Sequence, residues 1–200
     1  MSKKARKKRE PRVIAVLGCN QRPQKSTKYE KIINVDCEAF EGVDIVADLN
    51  GKWPFEDGSL DEIRAHDLIE HLQDPCNTMN EAWRVLKNGG LFDILVPSTE
   101  GRGWAQDPTH VYNPQTKKPG SMWNQNSFGY YAVIPERVED KDSPLVSHPW
   151  RALYPQLIKA AFMVHADTSQ PTPDGIVYVA AKLIKVDAPE DAREPSRNKS

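Results

Sequence analysis

Several absences narrow the field first. The sequence has no uninterrupted apolar run near the ~18–20 residues that a membrane-spanning helix needs, so no such helix is expected. No apolar stretch follows the basic opening Met1 to Glu10, which argues against a secretory leader. Cysteine is scarce. Cys19, Cys37 and Cys76 are odd in number and lack CxxC spacing. They offer neither a disulfide framework nor a recognisable zinc site, so no metal ligands are assigned and a reducing, cytoplasmic location is expected. No internal repeat appears at periods of about 20–50 residues, which excludes a solenoid.

What is present is unevenly charged. Across 200 residues the net charge is −1, yet residues 1–12 carry seven Lys/Arg against one Glu. An acidic body therefore bears a short basic arm. The arm is too charged to bury apolar surface, so residues 1–11 are expected to be disordered, as is the polar tail 188–200. Between them, 12–187 is long enough for one real core. The cluster Lys3–Arg12 would contact nucleic acid weakly and in a salt-dependent way, or serve simply as a solubilising end.

Short apolar runs at 13–17, 32–35, 43–47, 60–65 and 91–96 read as strands of an open α/β sheet. Several end on a polar residue. Asp74 and Pro75 open a helix whose apolar stripe is Met79, Ala82, Trp83 and Leu86, and Gly89-Gly90 is its expected stop. Strand, helix, strand is a parallel crossover. The fold class is thus α/β: a Rossmann-like open sheet, mostly parallel, with helices on both faces. Residues 177–186 form an antiparallel edge strand beside 162–166, and a helix is expected from Pro155 to Phe162. Residues 98–147 have little periodicity and read as a lid or insertion.

Ligands of open α/β sheets bind at the carboxyl ends of the strands. Here those ends carry Gly18, Asp36, Asp48 and His66-Asp67. Gly18 permits close backbone approach. Asp36 suits the two hydroxyls of a ribose, and Asp48 an exocyclic amine. Asp36 lies eighteen positions after Gly18, a spacing suited to a nucleoside-binding unit.

In order, the chain contains Leu17-Gly-Cys-Asn20, Asn34-Val-Asp36, Ala47-Asp-Leu49, Trp53-Pro-Phe-Glu-Asp-Gly-Ser-Leu-Asp-Glu-Ile63, Ala65-His-Asp-Leu-Ile-Glu-His-Leu72 and Glu81-Ala-Trp-Arg-Val-Leu-Lys-Asn-Gly-Gly90. Over about residues 12–97 this series resembles the class I S-adenosylmethionine-dependent methyltransferases. The resemblance implies S-adenosylmethionine as cofactor. Gly18 would lie beneath its methionine part, Asp36 at the ribose, Asp48 and Leu49 at the adenine, and Ala65 and His66 beside the sulfonium.

Two features depart from that pattern. Asn20 stands where the family's loop has a second glycine, although asparagine enters left-handed space readily. Only fourteen residues separate the first two strands, so their helix must be short or absent. These departures keep a second reading open, a methyltransferase-like fold retained as an inactive binding module. A nicotinamide enzyme is disfavoured because Gly18 is the lone glycine of its turn. The methyl acceptor is unidentified. His110 is the candidate general base, and Trp104, Asp107 and Tyr112 are candidate substrate contacts. Trp123, Phe128, Tyr130 and Tyr131 either wall that cavity or pack the lid shut. Glu70 and His71 read as loop-orienting residues.

Overall fold

The computed structural model describes residues 10–111, 117–136, 143–154 and 156–189. Lys3–Arg9 and the end of the tail lie outside them. Arg12 does not belong to a free arm. It opens strand β1 (Arg12–Leu17) and its guanidinium sits 2.6 Å from Glu62.

A seven-stranded sheet organises the chain. Its members are β1, β2 (Glu30–Asp36), β3 (Ile45–Val46), β4 (Leu60–His66), β5 (Leu86–Pro97), β8 (Phe162–Thr168) and β9 (Tyr178–Lys185). They lie in the order β3-β2-β1-β4-β5-β9-β8. The first five are mutually parallel, and β9 runs antiparallel to both β5 and β8. The expected Rossmann-like sheet with its antiparallel C-terminal edge is what the chain forms.

Alternation along the strands places the core. Ala15, Leu17, Val35, Ile63, Ala65, Phe92, Ile94 and Val96 share one buried cluster with Met79 and Ala82 of helix α1 (Pro75–Val85). Ile14 and Val16 point the other way, into a smaller cluster with Cys19 and Ile32. Both faces of β1 are therefore dry, as a continuous apolar run requires.

The helices are unevenly spread. Among the described residues α1 is the one helix of about three turns. The crossover between β1 and β2 has no helix, in line with its shortness. Asp74 caps α1 as expected, its carboxylate accepting from the Asn77 amide at 3.0 Å. The helix stops earlier than its glycines suggested. Val85 is its last residue, and Leu86 already pairs with Leu60 as the start of β5. The next pair is Glu62 with Leu91, so Lys87–Gly90 bulge out of the ladder. Gly89, at φ +77°, serves that bulge and not a helix cap.

One further expectation is corrected. The helix expected from Pro155 to Phe162 is absent over the described residues 156–162: a 3₁₀ turn at Arg151–Leu153 precedes them, and residues 158–161 are irregular chain. Asn80 of α1 explains this, because its Oδ1 accepts the Lys159 and Ala160 amides at 2.9 and 3.0 Å. Those amides are thereby withdrawn from helical bonding. The 98–147 segment has short elements of its own among the described residues. It holds α2 (Gly103–Gln106), α3 (Pro108–Val111), a 3₁₀ turn at Gln125–Tyr131 and the antiparallel pair β6 (Val133–Pro135) with β7 (Leu145–Ser147). Among the described residues no helix is long and apolar enough to cross a membrane.

Candidate functional site

The strand order reverses between β1 and β4, and a cavity of about 770 Å³ opens there. Its lining includes Gly18, Asn20, Gln21, Arg64, His66 and Asp67. The loop after β1 makes two left-handed residues, Gly18 at φ +64° and Asn20 at +48°. Asparagine thus takes the conformation that a second glycine would have supplied. Asp36 fixes this turn from the next strand. Its Oδ2 accepts the Asn20 amide at 2.8 Å and its Oδ1 the Glu38 amide at 3.1 Å.

The sequence-derived cofactor residues fall into three groups. Gly18, Asn20 and His66 line the cavity. Ala65 and Leu49 are buried in the main cluster. Asp36 and Asp48 follow the carboxyl ends of neighbouring parallel strands, in which Asp36 pairs with Val46. Neither carboxylate is among the cavity's lining residues. Asp36 is nearly buried under the Asn20 turn, whereas Asp48 is exposed and accepts from Asn50. Sequence reasoning missed Arg64, which is held by Glu62 at 2.5 Å and Gln24 at 2.7 Å. Its signal was the polar series Glu62, Arg64, His66 at alternate positions of an otherwise apolar strand.

Asp67 also lines a second cavity, of about 420 Å³, with Glu70, His71, Asp107, His110 and Tyr178 among its walls. This cavity lies between the 3₁₀ turn Ile69–His71 after β4 and the two short helices α2 and α3. Glu70 is 1% exposed, and neither of its carboxylate oxygens has a hydrogen-bond partner among the described residues. Burial foremost, and then the charges of Asp67 and Asp107, push its pKa up to about 8. Burial lowers that of His71, with neighbouring His110 adding to the effect. Burial also raises Asp67. For Asp107 burial is outweighed by two hydrogen bonds from Thr109, which hold its carboxyl low.

His110, the expected base, is buried with its Nδ1 3.0 Å from the Trp104 carbonyl. That contact makes Nδ1 the protonated nitrogen, since a carbonyl only accepts. Its Nε2 faces Glu70 at 3.9 Å and Asp107 at 4.0 Å. Of the candidate substrate contacts, Asp107 lines the cavity and Trp104 reaches it only through His110. Tyr112 lies outside the described residues. Trp123, Phe128 and Tyr131 belong to the buried main cluster: the Trp123 and Phe128 rings stack with centroids 5.2 Å apart.

Hydrogen bonds dock residues 120–121 onto the Ile69–Leu72 turn. The Ser121 amide donates to the Glu70 carbonyl at 2.9 Å, and the Ser121 hydroxyl donates to Leu72. Gly120 lies so close that a Cβ there would run into the Glu70 carbonyl oxygen. Gly120→Ala is therefore expected to lose about 1–3 kcal/mol, the range for overpacking. Thermal unfolding checks the loss, and limited proteolysis should show cleavage beginning in the 98–131 segment.

Residues 11–94 match the family model described as a methyltransferase domain. The fold of the wider chain agrees. A chain from the complex of the Haloferax volcanii Trm112 methyltransferase activator with a methyltransferase aligns over 88% of this chain and 82% of its own. Its identity is 14% and its TM-score 0.54. The YcgJ protein of Bacillus subtilis aligns over 91% and 95%, at 14% identity and a TM-score of 0.51. The 1,6-didemethyltoxoflavin-N1-methyltransferase of Burkholderia thailandensis, solved with its substrate and S-adenosylhomocysteine, aligns over 89% and 72% at 12% identity and a TM-score of 0.50. At these identities the likeness is one of fold. No curated protein matches the chain. The matched residues run from the start of β1 to Ile94 of β5, and the 98–147 segment and the β8–β9 pair follow them.

Proposed function

We propose that the protein transfers a methyl group from S-adenosylmethionine to an acceptor held under the lid. The supporting observation is that Asp67 borders both cavities, so a donor in the larger and an acceptor in the smaller would meet at that residue. A cavity of about 770 Å³ is ample for an adenosyl amino acid. In this reading Gly18 and Asn20 cradle the methionine part and Asp36 holds both the turn and the ribose. Asp48 and Leu49 bound the adenine, and Ala65 and His66 flank the sulfonium.

The acidic cast of the body suits a sulfonium cation. Methyl transfer is an in-line displacement in which the acceptor's lone pair forms the new bond to carbon as the bond to sulfur breaks. It needs little acid–base assistance, so alignment by the two cavities can carry much of the acceleration, up to about 7–11 kcal/mol in favourable cases. Asp107 and Trp104 shape the acceptor side, one directly and one through His110.

Isothermal titration of the native chain with S-adenosylmethionine and S-adenosylhomocysteine tests the reading. One equivalent of either ligand should bind with micromolar-range affinity. An absence of heat from folded protein with both ligands would sink the proposal. Turnover of a labelled methyl group on a component of a cell extract separates an active enzyme from a retained binding module.

A further inference from the structure

We infer that Glu70, His71 and His110 form a site for one divalent transition-metal cation of zinc's class, at the junction of lid and sheet. One donor atom from each of the three lies within 4.8 Å of the others. Four-coordinate zinc with bonds of about 2.0–2.1 Å sets its ligand atoms about 3.3 Å apart, so modest side-chain rotation would close the set. The Glu70–His110 pair already stands at 3.9 Å.

The state of Glu70 is the second, independent observation. A carboxylate 1% exposed, with both oxygens lacking a hydrogen-bond partner among the described residues, is one that native proteins rarely leave unmatched. It faces the His110 Nε2, so a cation between them would supply the missing partner.

The hydrogen bonds of the two imidazoles point the same way. His110 Nδ1 donates to the Trp104 carbonyl at 3.0 Å, leaving Nε2 with its lone pair toward Glu70. His71 Nδ1 contacts the Thr109 hydroxyl at 3.1 Å, and that hydroxyl donates its own proton to Asp107 at 2.6 Å. His71 Nδ1 must then be the donor, and its Nε2 also keeps a lone pair. Outward N–H groups anchored on a carbonyl or a carboxylate-bound hydroxyl are how metal-binding histidines are oriented. Two imidazoles and one carboxylate favour zinc-like ions over magnesium or calcium, which take oxygen ligands.

All three residues line the 420 Å³ cavity, so a fourth coordination position opens into it. A cation there joins lid residue His110 to the turn after β4. It also occupies the lone pair that a general base would use, which makes His110 a ligand in place of the expected base. Cation binding itself does not depend on the methyl-transfer reading; only the use of the open position does.

The test uses the full chain after treatment with a chelator and its removal. Titration with zinc chloride should show one equivalent bound, and His110→Ala and Glu70→Gln should each weaken binding at least tenfold. Circular dichroism checks that the variants fold. Should a variant not fold, the native chain loaded with cobalt(II) chloride decides: tetrahedral d–d bands without thiolate charge transfer are expected. No stoichiometric zinc binding, thiolate bands, or unchanged affinity in both folded variants would overturn the site. Titration with S-adenosylmethionine reports on the larger cavity independently, so failure of one proposal is distinguishable from failure of the other.

Discussion

Asp36→Ala is expected to lower the affinity for S-adenosylmethionine at least about tenfold while the sheet still forms. Asp36 accepts two backbone amides, those of Asn20 and Glu38. A carboxylate offers about four acceptor positions, so two remain for a ribose. Alanine removes the brace of a turn that holds Asn20 at φ +48°, and the ribose acceptors with it. Hydrogen bonds to charged groups contribute about 1.5–3 kcal/mol each, and about 1.4 kcal/mol is one decade of affinity. Asp36→Asn separates the two duties. Its amide oxygen can still accept from Asn20, so the turn survives, but the charge and one ribose acceptor are gone. Isothermal titration should find weak binding in both variants. Native-like affinity in Asp36→Asn would leave Asp36 a structural brace and remove it from the cofactor site.

The sheet was legible because its strands are short apolar runs with polar ends, a local pattern that survives tertiary packing. Val13–Leu17 and Leu91–Val96 were readable as strands for that reason, and the Asp74-Pro75 helix start because a cap is written in two adjacent residues. What failed were features set by distant partners. Gly89-Gly90 looked like a helix stop, but Leu86 had already been taken by Leu60 across the sheet. Residues 158–161 lost their helix to Asn80, nearly eighty positions away. The site divides in the same way. Gly18, Asn20 and His66 could be placed from strand ends, whereas the meeting of Glu70 with His110 depends on how α3 folds back. No periodicity in 98–147 announces that return. Glu70 was read as orienting a loop, and only burial exposes its lack of a partner.

Trp53→Ala should be the most destabilising single change within residues 11–94. The indole is 1% exposed and meets Phe92 edge-on, with ring centroids 6.4 Å apart and planes at 83°. Removing a buried tryptophan costs about 3–5 kcal/mol, against a total stability of about 5–15 kcal/mol for a domain. Urea unfolding should show a much lower midpoint with little change in slope, because the unfolded surface is nearly the same. Trp53→Phe asks a finer question. Phenylalanine keeps most of the ring packing but cannot donate the hydrogen bond that the indole Nε1 makes to the Leu49 carbonyl at 3.0 Å. That carbonyl belongs to the segment proposed to bound the adenine. Leaving it unpaired costs about 1–3 kcal/mol and frees the Asp48–Leu49 backbone to shift. Trp53→Phe should therefore bind S-adenosylmethionine more weakly than native protein even at temperatures where it is fully folded. Equal affinity under those conditions would detach Asp48 and Leu49 from the adenine and leave Trp53 a packing residue alone.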